Sequence, residues 1–162
     1  MRLTRPHEYT VFAQNGGYAV QNDKGLSAFA APDTTRCPKV YVFAAGDQPV
    51  YVGQTTQGMA ARMRLGFHAD GSGGYYGYRW RRNLSSVRLL VWCLEGVTEE
   101  DEVPALECIE AEIVFAYRTA CGQWPKYQTE IHFHETSGEH RGLAAHVLKC
   151  VEAPRKPGNA PG

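Results

Sequence analysis

Two tyrosines, Tyr41 and Tyr51, and an arginine, Arg62, lie within one short run, KVYVFAAGDQPVYVGQTTQGMAARMRLGFH (39–68). A guanidinium clamps phosphate oxygens through paired hydrogen bonds. A phenol, with an ordinary pKa near ~10, acts as a base at neutral pH only where a cation or an arginine stabilises its phenolate. The surrounding charge is sorted. Between Arg62 and Arg88 there are six arginines and one acid, and between Glu95 and Glu112 eight acids and no base, so a basic patch adjoins an acidic segment. That suits a protein that grips phosphates and also holds a cation, although two solvated faces of opposite sign are the plainer alternative. Phosphodiester hydrolysis is slow enough unaided that a catalyst must lower its barrier by well over ~8 kcal/mol. A magnesium ion held by one carboxylate and several waters, beside phenols and an arginine, is a sufficient centre for it.

The elements that must position these groups follow from periodicity. Alternation around Tyr41, a Gly46-Asp47 turn and renewed alternation through Val50, Tyr51 and Val52 predict a β-hairpin. The tyrosines are symmetric about residue 46, so pairing in that register sets them opposite one another on one face. After Gly53 the period becomes helical, with Met59, Arg62, Met63 and Gly66 recurring every three or four residues. Ser86–Leu94 reads as a third, central strand. Glu99–Glu102 open a helix that tolerates Pro104 in its first turn and stops at Gly122.

This arrangement resembles the GIY-YIG nuclease family. Lys39-Val40-Tyr41 stands at the first triplet, with Lys39 and Val40 in place of Gly and Ile, and Tyr51-Val52-Gly53 stands at the second. Arg62 follows at nearly the family's distance, and Glu110 precedes the apolar pair Ile113 and Val114 as the family's metal-binding glutamate does. Pro125-Lys126-Tyr127-Gln128 stands at the closing turn, with Gln128 in place of the usual asparagine. The resemblance spans roughly residues 38–130. It implies an α/β domain of α+β type, a small three-stranded antiparallel sheet flanked by helices. The implied activity is metal-dependent endonucleolytic cleavage of DNA with Mg2+ (or Mn2+). Catalytic roles fall on Tyr41, Tyr51, Arg62, Glu110 and His68, with Glu110 as the metal ligand. Tyr41, Tyr51, Arg62 and Glu110 must then surround one pocket, with both phenols outside the hydrophobic interior. By the same resemblance one tyrosine activates or orients the attacking water and the other supports the phosphate or a metal-bound water, and which does which stays open. Arg62 is the phosphate clamp. Arg64 is its rival, sharing a helical face with His68, and both are DNA contacts or secondary catalytic groups. Glu107, one turn before Glu110, is a supporting acid.

Residues 1–36 lie outside the resemblance and form an N-terminal extension and linker. A short hairpin through Asn15-Gly16-Gly17 is expected there, as a packing addition or an arm touching DNA. The nuclease-like domain runs over 37–135, a helix over 136–151, and a Pro/Gly-rich tail over 152–162 that reads as disordered. In the glycine-rich loop 69–86, Tyr75, Tyr76, Tyr78 and Trp80 alternate with Arg79, Arg81 and Arg82. These either stack on and pair with nucleic acid or cap the core. Arg64, Arg79, Arg81, Arg82 and Gln128 are the candidate nucleic-acid contacts. A TEIHFHE strand would put His132 and His134 on one face, as plain polar residues, DNA contacts or the start of a zinc site. Five cysteines without C-x-x-C spacing argue against a disulfide framework and for a reducing, cytoplasmic setting. No apolar leader or span is evident. The rival to an endonuclease is a GIY-YIG-like domain that binds nucleic acid without cutting it. An unrelated histidine-metal protein is the other rival. So short a chain predicts structure-selective cutting or a homodimer that engages both strands.

Overall fold

The computed structural model describes residues 1–129 and 131–153. It is an α+β fold, a six-stranded antiparallel sheet with three helices. The strands are β1 (Arg2–Leu3), β2 (His7–Gln14), β3 (Gly17–Asn22), β4 (Lys39–Ala45), β5 (Gln48–Thr55) and β6 (Ser86–Glu95). The helices are α1 (Met59–His68), α2 (Glu102–Cys121) and α3 (Gly138–Glu152). The sheet order is β3-β2-β6-β4-β5, and β1 pairs with the far end of β6. The expected three strands are present as β5-β4-β6. The sheet is twice that size because residues 1–36 contribute β1–β3, with β2 pairing directly along β6 from His7↔Val91 to Phe12↔Ser86. The predicted turn at Asn15-Gly16 joins β2 to β3, and Gly16 takes the positive φ that such a turn demands.

β6 is buried along most of its length, as befits a central strand whose SVRLLVWCLE run leaves few polar positions. Its two faces feed two cores. On one side Leu89 and Val91 pack with Tyr9, Tyr41, Phe43, Tyr51, Met59, Met63, Phe67, Tyr78 and Trp80, under α1 and the loop that follows it. On the other, Leu90, Trp92 and Leu94 pack with Leu106, Ile109 and Ile113 of α2 and Val147 and Val151 of α3. The helix ends follow the sequence. Gly122, in the left-handed region, closes α2 and donates to the Arg118 carbonyl. Ser137 and His140 form a reciprocal cap at the start of α3. The expected TEIHFHE strand (129–135) does not form at 129 or over 131–135, and Glu130 within it lies outside the described residues. The tail from residue 154 onward also lies outside them. Among the described residues no helix is long and apolar enough to cross a membrane.

Candidate functional site

The hairpin β4–β5 departs from a symmetric register, and the departure decides where the tyrosines go. Ala45↔Gln48 and Ala44↔Pro49 flank a two-residue Gly46-Asp47 turn. That pairing, continued unbroken, would set Tyr51 against Val42, whose side chain belongs to the α2/α3 face. A bulge between Phe43 and Ala44 leaves Val50 unpaired, so that Phe43 faces Tyr51 and Tyr41 faces Gly53. Tyr51 therefore does not sit opposite Tyr41. The two nonetheless share a face, their rings stacked with centroids 6.4 Å apart. Gly53 is glycine for a steric reason: a Cβ there would lie 2.5 Å from the Tyr41 ring, which covers it.

Arg62, on α1, reaches back over this pair. Its Nε donates to the Tyr41 hydroxyl at 2.9 Å, and its guanidinium carbon lies 5.0 Å from the centroid of the Tyr75 ring. Burial works against the cation, but the surrounding phenols (Tyr41, Tyr78, Tyr75 and Tyr51) outweigh it, and the net shift is upward. Arg62 is charged throughout the working range. The Tyr41 hydroxyl also meets that of Tyr78 at 3.1 Å. Burial pushes the phenols of Tyr51 and Tyr78 well above the usual range, with neighbouring Tyr41 adding to both and Arg62 opposing. Both are protonated hydrogen-bonding groups at neutral pH.

The carboxylate side of the site comes from the opposite layer. The segment after α2 docks on the edge strand β5 at its bulge, where the Tyr127 amide donates to the freed Val50 carbonyl at 2.9 Å. Gln128 then pairs with β5 through its side chain: Oε1 accepts from the Val52 amide at 2.9 Å and Nε2 donates to the Val52 carbonyl at 3.1 Å. The same Nε2 lies 3.5 Å from Glu110 Oε1, and the Glu110 charge is felt at the Tyr51 phenol. Glu110 is half-buried. Glu110 and Gln128 thus meet at the β5 edge on one side of Tyr51, while Arg62 lies on its other side against Tyr41 and Tyr75.

Several expectations need correction. Tyr41 and Tyr51 do not stand open in a pocket: Tyr41 is 0 % exposed and Tyr51 5 %. Tyr41 is sealed because β4 is an interior strand and Tyr78 closes over it; Tyr51 keeps a margin because β5 is the edge. His68 and Arg64 are exposed and bonded to each other, His68 Nδ1 lying 2.8 Å from the Arg64 carbonyl. Two residues past Arg62 on a helix is a different face, and nothing turns either group toward Tyr41. Glu107 does not support Glu110 but pairs with His134 at 2.6 Å. His132 is exposed, and among the described residues no three metal-ligating side chains cluster, so the histidine zinc site is not formed.

The loop aromatics divide between the two expected roles. Tyr78 and Trp80 are buried in the core, while Tyr76 is exposed and Arg79 lies over its ring at 6.0 Å. Arg79, Arg82 and Tyr76 line one cleft with Ala69 and Asp70. Arg81 instead packs over Phe67 and reaches toward the Ala69 carbonyl. Tyr75 and Tyr78 are the site residues that sequence reasoning did not single out. Their only signal was membership of a tyrosine-rich loop, which does not say which ring turns inward. Comparison of the chain with family models, curated proteins and solved structures found no match.

Proposed function

We propose that this protein hydrolyses DNA phosphodiester bonds in the manner of the GIY-YIG endonucleases. The observation that carries the reading is the Tyr41–Arg62 bond at 2.9 Å, which holds a permanent cation against the phenol cluster that includes Tyr51, whose hydroxyl also feels the Glu110 charge. The β5-β4-β6 unit, with α1 in the connection from β5 to β6, supports it, since the resemblance implies a small antiparallel sheet flanked by helices.

The roles divide by accessibility. Arg62 meets the phosphate and offsets the charge that develops on it. Tyr41, sealed behind, is a positioning residue that aims Arg62. Tyr51, protonated and at the margin of solvent, donates to a phosphate oxygen or to the water that attacks. Gln128 keeps its amide against both β5 and Glu110, and so orients the carboxylate. Glu110 is a half-buried hard-oxygen donor, which fits a Mg2+ or Mn2+ ion that retains most of its waters. Such an ion, when bound, supplies Lewis-acid polarisation of the phosphate and a more acidic water. Arg64, Arg79, Arg82 and Tyr76 lie exposed for the nucleic-acid backbone and bases.

The closure of Tyr41 favours a second reading, a domain that binds nucleic acid without cutting. Nicking of supercoiled plasmid separates the two. The endonuclease requires magnesium- or manganese-dependent nicking that Glu110→Ala and Arg62→Ala each lower by at least about 100-fold, with the far-UV spectrum retained. DNA retention in a gel shift with no nicking in either metal would establish the binder instead.

A further inference from the structure

Residues 30–38, between β3 and β4, do more than connect two strands. Asp33 is 1 % exposed, and its carboxylate accepts from the Tyr9 hydroxyl at 2.7 Å and pairs with His7 Nδ1 at 3.0 Å. Its backbone carbonyl takes the Met59 amide at 2.8 Å, satisfying the start of α1, which has no side-chain cap. Gly58 is pressed so closely on the Thr34 carbonyl that a Cβ there would lie 2.6 Å from its oxygen. Lys39 ties the far end, its buried Nζ donating to the carbonyls of Thr35, Cys37 and Gln57. This segment therefore seats the helix that bears Arg62.

Where it enters β4, Cys37 Sγ lies 3.1 Å from Cys93 Sγ on β6, and both are free thiols. The register sets Cys93 opposite Lys39, so Cys37 is its diagonal neighbour on the same face. A disulfide requires the sulfurs to approach to about 2.05 Å, roughly one ångström nearer than they are. No other pair of cysteines is within sulfur contact among the described residues.

We propose that Cys37 and Cys93 form a reversible disulfide by exchange with a low-molecular-weight disulfide, and that this bond locks the α1-seating segment onto the central strand. The inference stands apart from phosphodiester hydrolysis. Cys37 is half-buried and Cys93 buried, and burial pushes the Cys93 thiol up to about 12, its hydrogen bond with Cys37 adding to the shift. Attack therefore begins at Cys37. Its thiolate displaces one small thiolate from the reagent, which takes up the proton Cys37 released, leaving a mixed disulfide. That also removes the Cys37 thiol hydrogen bond that helped hold the Cys93 proton. Cys93 then loses its proton and attacks the Cys37 sulfur, and the second small thiolate leaves and is protonated. Two protein thiols are oxidised by two electrons and one small disulfide is reduced to two thiols.

Purified protein incubated with oxidised glutathione at pH 8, alkylated and digested without reduction, should yield a Cys37–Cys93 linked peptide that dithiothreitol abolishes. The bond spans 56 residues, so the oxidised form should melt about 5–10 °C higher. The increase should vanish in Cys37→Ser, whose site is partly exposed and spares the core, and in Cys93→Ser. Glutathione retained on Cys37 with no linked peptide, both thiols still fully alkylated, or a linked form that melts no higher would each overturn the proposal.

Discussion

Lys39 and Tyr41 lie on one face of β4, and each is a fully buried side chain whose polar end is met by another part of the chain. Lys39 satisfies its ammonium on three backbone carbonyls, and Tyr41 shares its hydroxyl between Arg62 and Tyr78. Lys39 takes two of its carbonyls from the adjoining segment and the third from Gln57, and both partners of the Tyr41 hydroxyl come from residues distant in the chain, so neither arrangement has a signature in residue type alone. Its place in a triplet marked Tyr41 as a candidate, but nothing in the sequence marked its burial. Tyr41→Phe keeps the ring over Gly53 and removes the hydroxyl with its bonds to Arg62 and Tyr78. Because one of the lost bonds is to a charged, largely desolvated guanidinium, the change should cost about 1–3 kcal/mol, read as a lower urea midpoint at unchanged slope. If Tyr41 aims Arg62, plasmid nicking should also fall about 10- to 100-fold without changing its metal requirement. Activity equal to wild type would remove Tyr41 from the machinery.

At the scale of elements, what could be read was what periodicity and end signals encode locally. β6 betrayed itself by an apolar run, and α2 by its acidic start and Gly122. The bulge at Phe43/Ala44 left no such trace, since counting symmetrically from a turn assumes an unbroken ladder. Nor could the pairing of β2 with β6 be read, because it joins segments about eighty residues apart. Close approach of elements was likewise hidden. Gly66 in α1 reads as a helix-weakening residue, yet a Cβ there would sit 2.3 Å from the Tyr78 ring. Tyr78 is fully buried and cannot swing away. Gly66→Ala should therefore destabilise by about 1–3 kcal/mol through overpacking, exceeding the helix-propensity gain of up to ~1 kcal/mol. In a double-mutant cycle with Tyr78→Leu much of that cost should disappear, and additive losses would show that the contact is not its source.

Across the whole molecule, the two faces of the sheet differ in chemistry as well as in partners. The α2/α3 face is mainly aliphatic, while the α1 face carries Tyr9, Tyr41, Tyr51 and Tyr78 in one cluster. That concentration makes the fold sensitive to alkali. Burial is the leading cause that raises the phenols of Tyr9, Tyr51 and Tyr78 above their ordinary value, and for Tyr9 the bond to Asp33 adds to it. In the unfolded chain the same groups titrate near ~10. Below that pH both states hold the protons, and these groups contribute no slope. Above it the unfolded chain releases protons that the native state keeps, so stability falls as pH rises toward the folded values. Each such phenol adds at most about 1.4 kcal/mol per pH unit. Urea unfolding followed between pH 8 and 11 should give a midpoint that falls gently from about pH 9, where the unfolded Cys93 thiol titrates, and steeply beyond about pH 10. In Tyr78→Phe, which starts lower by about 1 kcal/mol for the lost hydroxyl bond, the decline should be shallower by one phenol's share. Parallel declines in the two proteins would mean that Tyr78 titrates alike folded and unfolded, and that the aromatic face is open to water.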